Sequence, residues 1–407
     1  MHKIDHSTSL IPNMRWFGDK DPVSLSAIKQ TGAEGVVSAL HHVENGQVWE
    51  EAEIRAYKEK IEAHGLRWEV VESLPVHESI KLGNKEAEKY IASYKLSIQN
   101  LARQGIQVIT YNFMPILDWT RTDLKRELPS GASCLSFDFL DLAIFDLFVL
   151  QREGARNAYS KSILEAAEEK VKEVSSAYLE NLSRTILAGL PGSEEHFEPN
   201  SFRQALADYA DLGEEGLRKN LYQFIAEVAP VAESYGIKLA IHPDDPPFSL
   251  FGLARVVSTE ADLQRIVEAS PSLSNGFCFC SGSLGSNPEN DLRGMMEKLG
   301  KRIHFLHLRN VKHTAFRSFY EAPHLEGDVD MPAILEAAIQ ISKQQGSAIP
   351  FRPDHGLEML DDQGKKTNPG YTAIGRSKGM AEIRGLELGI RYANDGLLKP
   401  TPQLPKN

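Results

Sequence analysis

Short apolar runs and longer stretches of helical periodicity take turns along most of this chain. A run of four to eight apolar or β-branched residues reads as a strand, and apolar residues every three or four positions read as one face of a helix. Met14–Gly18 is the first strand candidate, followed by Asp21 and Pro22, an N-cap with proline at the first helical position, and a helix over Val23–Thr31. Glu34–Leu40 predicts a second strand and Glu50–His64 its amphipathic helix, stopped by Gly65. Leu66–Ser73 and Lys85–Gln104 repeat the pair, closed by Gly105, and Ile106–Phe113 supplies a fourth strand.

The rhythm then breaks. From about Pro115 the chain reads almost wholly helical until Gly236, with helical spacing over Glu165–Leu187, a loop over Pro191–Asn200 and a further helical stretch over Ser201–Tyr235. The most apolar run, Leu135–Leu150, contains Asp138, Asp141 and Asp146 and falls short of the ~20 residues a membrane span needs, so it predicts a buried or interface helix. Alternation resumes with strands at Ile237–Pro243, Gly276–Ser281, Ile303–Asn310 and Ile349–Asp354, and helices at Glu260–Ala269, Pro288–Leu299, Met331–Gln344 and Gly375–Asn394. Eight strands alternating with helices predict an α/β fold, a (β/α)8 TIM barrel with a helical insertion after strand 4. Residues 14–398 form one catalytic domain in this reading, with the insertion at about 115–200, a flexible tail at 1–13 and a second tail at 399–407.

Bulk numbers leave that picture intact. At 407 residues, 42% hydrophobic and 25% charged, the composition is that of an ordinary globular protein. A net charge of −11 argues against nucleic-acid binding, and an anionic substrate would have to be attracted by local cations. Three cysteines, Cys134, Cys278 and Cys280, make no disulfide framework, and Met1 is not followed by a charged-then-apolar leader, so a reduced, cytoplasmic setting is expected.

Four of the late strand candidates end in chemistry: Ile237–Pro243 in His242, Gly276–Ser281 in Cys280, Ile303–Asn310 in His307 and Arg309, and Ile349–Gly356 in Arg352, Asp354 and His355. Each alone has a bland reading, as a hydrogen-bonded histidine, a small buried thiol or a turn-capping aspartate. Cys278 keeps that reading, one layer deeper on the same face as Cys280. Recurrence at successive strand ends places His242, Cys280, His307 and Asp354 at the carboxyl-terminal mouth of a barrel, where two imidazoles, a thiolate and a carboxylate suit a borderline divalent ion. His41 and His42 fit equally well as turn residues after strand 2. No Walker or dinucleotide motif occurs.

The chain resembles the mannonate dehydratase family over nearly its whole length. The matching stretches are Arg15-Trp16 with Asp21–Leu25, Thr31–Asn45 with His41-His42, His242–Pro247, Cys280–Gly285, His307–Asn310, Arg352–Gly356 and Pro369–Tyr371 running into Ile374–Arg376. The resemblance implies a xylose-isomerase-like barrel, removal of water from D-mannonate to give 2-dehydro-3-deoxy-D-gluconate, and Fe2+ or Mn2+ as cofactor. It carries the metal ligands onto His242, Cys280, His307 and Asp354, and the catalytic groups onto Arg352, His355 and Tyr371. Substrate contacts are expected from Arg309, His42 and Arg15, and the assembly is expected to be a homo-oligomer, a dimer.

Dehydration of a sugar acid removes the proton at C2 and expels the C3 hydroxyl, so it needs a cation on the carboxylate, a general base and a general acid. His355 as base and Tyr371 as acid is one assignment, and the reverse is open. A metal-dependent sugar isomerase or epimerase on the same barrel is the nearest alternative, and a non-catalytic sugar-acid-binding protein is the alternative from another class. A product assay separates them, since only loss of water leaves a 2-keto-3-deoxy acid.

Overall fold

The computed structural model describes residues 10–189 and 197–395. Eight parallel strands close into a barrel: β1 (Leu10–Arg15), β2 (Gly35–Ser38), β3 (Arg67–Glu72), β4 (Val108–Tyr111), β7 (Lys238–Ile241), β8 (Asn275–Cys280), β9 (Ile303–Leu308) and β12 (Ile349–Pro353). Around the barrel the order is β1-β12-β9-β8-β7-β4-β3-β2, so the last four strands in the chain are neighbours and the first four are neighbours. Inward-pointing Val37, Val70, Val108, Ala240, Cys278 and Phe305 pack together as an apolar layer across the barrel interior. It is a packed floor rather than a pore.

Helices cover the outside, among them α1 (Leu25–Gln30), α2 (Glu51–Glu62), α3 (Glu78–Leu82) and α4 (Ala87–Arg103). Side-chain caps start many of them. Ser24 accepts from Ala27 N–H ahead of α1, and His77 accepts from Ser79 N–H ahead of α3, which ends at Gly83 in the left-handed conformation.

The stretch between β4 and β7 departs from the wholly helical expectation. It opens with two strands, β5 (Asp123–Glu127) and β6 (Ser133–Phe137), before α5 (Phe139–Ile144), α6 (Lys161–Glu173), α7 (Ser176–Leu187), α8 (Pro199–Asp208) and α9 (Gly213–Ser234). Thus Leu135–Leu150 is not one helix: its first residues pair in a sheet, and Asp138 then caps α5 by accepting from Leu140 and Asp141 N–H. A second hairpin, β10 (Asn310–Ala315) and β11 (Ser318–Ala322), follows β9 directly and pairs antiparallel with β6, giving a four-stranded sheet of order β10-β11-β6-β5. Hydrogen bonding between two segments far apart in sequence decides this sheet.

Later helices are α10 (Glu260–Ala269), α11 (Ser281–Gly285), α12 (Leu292–Leu299), α13 (Met331–Gln345) and α14 (Ala373–Asp395). The expected helix at Pro288 begins at Leu292, where Asp291 accepts from Gly294 N–H and serves as the cap. The expected tail at 1–13 is corrected at its end, because Leu10, Ile11 and Pro12 pair with Ile349, Pro350 and Phe351 of β12 and close the barrel. The tail at 399–407 and most of the Pro191–Asn200 loop lie outside the described residues. Among the described residues no helix is long and apolar enough to cross a membrane.

Candidate metal centre and active site

Register brings the chemistry into one layer. Across the β8–β9 pairing Cys280 sits opposite His307, and across the β12–β9 pairing Arg352 sits opposite His307. His242 follows β7 and stays tied to the barrel through its N–H to the Tyr111 carbonyl at 2.7 Å. These residues lie one step above the apolar floor, at the carboxyl ends of the strands.

His242, Cys280 and His307 each offer a ligand atom, and these atoms lie within 4.8 Å of one another. The ring nitrogens His242 Nε2 and His307 Nδ1 face each other at 3.1 Å. Each ring's other nitrogen is anchored: His242 Nδ1 on the Pro243 carbonyl at 2.7 Å, and His307 Nε2 on Glu72 Oε2 at 3.1 Å. Anchoring the outer nitrogen to an acceptor is how metal-binding histidines are oriented. Burial lowers the pKa of His242, which favours the neutral, ligating form. Cys280 Sγ accepts from the N–H of Ser283 at 3.4 Å and from its hydroxyl at 3.2 Å. Two imidazoles and a sulfur, all from rigid strand ends, fit a borderline divalent ion.

Asp354, the fourth expected ligand, reaches the edge of this cluster and not its centre. Its Oδ2 lies 3.6 Å from Cys280 Sγ, but Oδ1 accepts from Arg352 Nη1 at 2.5 Å and Oδ2 lies 3.2 Å from Arg309 Nη1. Two guanidiniums hold the carboxylate where it stands. Burial alone would raise its pKa; Arg352, His355 and Arg309 outweigh that and hold it well below the usual carboxylate range.

Glu72 binds the other side of the site together. It accepts from Arg352 Nε at 3.0 Å and Nη2 at 2.7 Å, and pairs with Arg15 at 3.1 Å, besides orienting His307. Burial would push its carboxyl up, but the Arg352, His307 and Arg15 charges hold it far below normal. Behind these lies a second buried group, in which Arg309 pairs with Asp245 at 2.7 Å, and Arg121 pairs with Asp245 at 2.8 Å and Glu321 at 2.7 Å. Buried charges are tolerable only when matched in this way.

Glu321, on β11, accepts from His355 Nδ1 at 2.7 Å, while His355 Nε2 lies 3.2 Å from the Tyr371 hydroxyl. A carboxylate, an imidazole and a phenol thus stand in line. His355 and Tyr371 line a cleft together with Arg15, Glu72, His242, Arg309, Arg352 and Asp354. Burial raises the pKa of Tyr371 above its ordinary value, so it is protonated at neutral pH and able to donate.

Of the ten residues singled out in the sequence, the fold gathers nine around this cleft: His242, Cys280, His307, Asp354, Arg352, His355, Tyr371, Arg309 and Arg15. His42 is not among them. Its side chain is 62% exposed and pairs with Glu53 at 3.3 Å, because β2 ends at Ser38 and the chain turns outward before reaching it. Sequence reading missed Glu72, Asp245, Glu321 and Arg121. Alternation on β3 offered a signal for Glu72, since it lies two positions after inward Val70 and so shares its face. Nothing local marked Glu321, whose place depends on the sheet that pairs β11 with β6.

Comparisons with known proteins give the family and the fold. A family model described as D-mannonate dehydratase (UxuA) matches residues 11–395. A mannonate dehydratase from Chromohalobacter salexigens is 49% identical over 382 residues, covering 93% of this chain and 98% of its own. A solved mannonate dehydratase from Streptococcus suis superposes with a TM-score of 0.76 at 33% identity, covering 98% of both chains. A xylose isomerase-like TIM barrel protein from Mycobacterium smegmatis matches with a TM-score of 0.51 at 12% identity over 95% of this chain and 98% of that one, a likeness of fold alone.

Proposed function

The chain belongs to the D-mannonate dehydratase family, a family of hydro-lyases, and from that premise we propose how its cleft removes water from D-mannonate. In this reading His242, Cys280 and His307 hold a divalent ion, Fe2+ or Mn2+, with Asp354 beside them as a further ligand. Such an ion supplies a Lewis acid for the substrate carboxylate and its neighbouring hydroxyl. The observation that carries the reading is the His355–Tyr371 pair, 3.2 Å apart, lining the same cleft as the metal cluster.

His355 is the base for the C2 proton. With Glu321 accepting from Nδ1–H, the lone pair of the neutral ring is at Nε2, on the side of Tyr371 and the cleft. Tyr371 gives its proton to the departing C3 hydroxyl. The electrons of the C2–H bond become the C2=C3 bond, the C3–O bond breaks and water leaves; the enol then becomes the 2-keto-3-deoxy acid. Arg352 and Arg15 stand close enough to the cluster to offset charge building beside the carboxylate. Arg15 Nε, buried and without a hydrogen-bond partner, supports a substrate contact there.

The test is to supply D-mannonate with Mn2+ to metal-stripped protein and assay the 2-keto-3-deoxy acid. Product formed only with metal supports the reading. Full turnover in excess chelator removes the metal from it, and product of unchanged composition turns it into an isomerisation. The expected dimer and cytoplasmic setting belong to the same proposal; partly exposed Leu388 and Tyr392, one turn apart on α14, fit a subunit contact that sedimentation can check.

A further inference from the structure

Arg376 closes one of the stretches singled out in the sequence, Ile374–Arg376, and the chemistry above uses none of it. It lies in the first turn of α14, fully buried, with its guanidinium Cζ 5.6 Å from the centroid of the Tyr371 ring. The local chain is built to put it there. Gly375 lets α14 press against the Leu357 backbone, which a Cβ at that position would strike, and Gly356 makes the same allowance for the Arg376 backbone nitrogen. Gly356 N–H donates to the Gly370 carbonyl at 2.8 Å and the Thr372 hydroxyl to the Leu357 carbonyl at 2.7 Å, so the segments carrying His355 and Tyr371 are laced together. Arg376 then fastens them to the end of β1, donating from Nη1 to the Arg15 carbonyl at 2.6 Å and from Nε to the Thr372 carbonyl at 3.0 Å.

Both hydrogen-bond partners of this cation are neutral. The other guanidiniums of the site are matched, Arg15 and Arg352 by Glu72, and Arg309 and Arg121 by Asp245. Among the described residues no carboxylate stands within ion-pair distance of Arg376, and its Nη2 has no hydrogen-bond partner. Asp21 is the first opposite charge it feels, but the Asp21 oxygens accept from Phe17 and Val23 N–H at 2.8 and 2.9 Å. Burial lowers the pKa of Arg376 to about 10, which still leaves it charged at neutral pH. A buried cation without a counter-ion is unfavourable at rest. It becomes useful if a negative charge arises beside it during the reaction, and Tyr371 is where one arises. We propose that Arg376 is a positioning residue for the general acid: it holds the Tyr371 ring and stabilises the phenolate left when that phenol gives its proton to the departing C3 hydroxyl. The phenolate regains a proton from His355 Nε2, 3.2 Å away, which holds the one taken from C2, so the charge stands beside Arg376 only between the two transfers. The proposal rests on the dehydration reading above, and Arg376 itself does not line the cleft.

A leaving group that needs no proton isolates this role. In 3-chloro-3-deoxy-D-mannonate the C2–H electrons form the C2=C3 bond, His355 takes the proton and chloride leaves with the C3–Cl pair, giving the same 2-keto-3-deoxy acid. Manganese-loaded wild type, Arg376→Met, Arg376→Gln and Tyr371→Phe are each assayed on both substrates. Expected for the two Arg376 variants is a kcat on D-mannonate lower by about tenfold or more, with kcat on the chloro acid and both KM values within about threefold of wild type. Tyr371→Phe should show the same selectivity with a deeper loss. Equal loss on both substrates overturns the proposal, since a merely structural residue does not distinguish the leaving groups, and so does unchanged turnover of D-mannonate. If melting temperatures show that neither Arg376 variant folds, the residue is structural and the proposal is overturned too. Failure of the dehydration reading looks different: wild type forms no 2-keto-3-deoxy acid from D-mannonate, or Tyr371→Phe itself loses equally on both substrates.

Discussion

Glu321→Gln is the perturbation that most sharply separates positioning from binding in this site. Glu321 does not line the substrate cleft; it lies behind His355, accepting from Nδ1 at 2.7 Å and pairing with Arg121 at 2.7 Å. Glutamine keeps the shape and one acceptor oxygen but loses the charge, and its amide nitrogen cannot accept from the second of these two partners. One charge-assisted hydrogen bond is therefore lost, worth about 1.5–3 kcal/mol. Arg121 stays matched through its two contacts with Asp245 at 2.8 and 3.2 Å, so the fold survives. For a chain of this length that stability loss moves Tm by on the order of 2 °C. The effect on turnover is larger. Without an acceptor fixed on Nδ1, His355 is free to present a protonated Nε2 to the cleft, and loss of a correctly set acid–base group typically costs about 10²–10⁴ in rate. Expected, then, are a kcat lower by two orders of magnitude or more, KM within about threefold, and metal content per chain unchanged, read by steady-state kinetics beside elemental analysis. A kcat within threefold of the parent refutes the orienting role of Glu321. Loss of bound metal would mean that the effect travels through Asp354 and Arg309 instead.

Tyr371→Phe removes the donor while leaving the ring packed edge-on to Phe17 and His355, so it keeps its metal and loses dehydration by about 10²–10⁴; near-parental turnover would take the acid role from Tyr371. In Gly282→Ala the new methyl meets the Arg309 side chain directly, so we expect about 1–3 kcal/mol of destabilisation, seen in urea unfolding, together with reduced turnover. Burial holds His304 neutral and lowers its pKa to about 4, outweighing the bond to the Leu239 carbonyl, which favours the charged ring. The unfolded chain protonates this histidine from about 6.5 downwards, so its contribution is intact above that pH and is lost progressively towards 4, on the order of 3 kcal/mol in total. Unfolding of His304→Gln followed between pH 7 and 4 should accordingly show a flatter acid limb than the parent.

The barrel was legible because each of its strands carries its own signal, a short apolar run bounded by turn residues, and because helices such as α2 and α4 show apolar positions at helical spacing. The site was legible for the same reason: His242, Cys280, His307 and Asp354 each end such a run. The four-stranded sheet was not. β5 reads Asp-Leu-Lys-Arg-Glu, with one apolar residue in five and an exposed edge, and the β10–β11 turn passes through Phe316 and Arg317 with neither glycine nor asparagine, although Arg317 takes a φ of 51°. Its pairing is tertiary, and Glu321 and Arg121 were hidden with it. His42 failed for the opposite reason: a motif position adjacent to a strand says nothing about which way the chain turns after Ser38. Asp354 was correctly placed near the cluster, but only structure reveals that Arg352 and Arg309 compete for its carboxylate.

The account stands on one cation held jointly by His242, Cys280 and His307. Cobalt titrated into the metal-stripped protein tests this without reference to turnover. One equivalent per chain should bind with a sulfur-to-metal charge-transfer band, and that band should vanish in Cys280→Ser. One equivalent bound with no such band, or a band that persists in Cys280→Ser, would contradict the assignment.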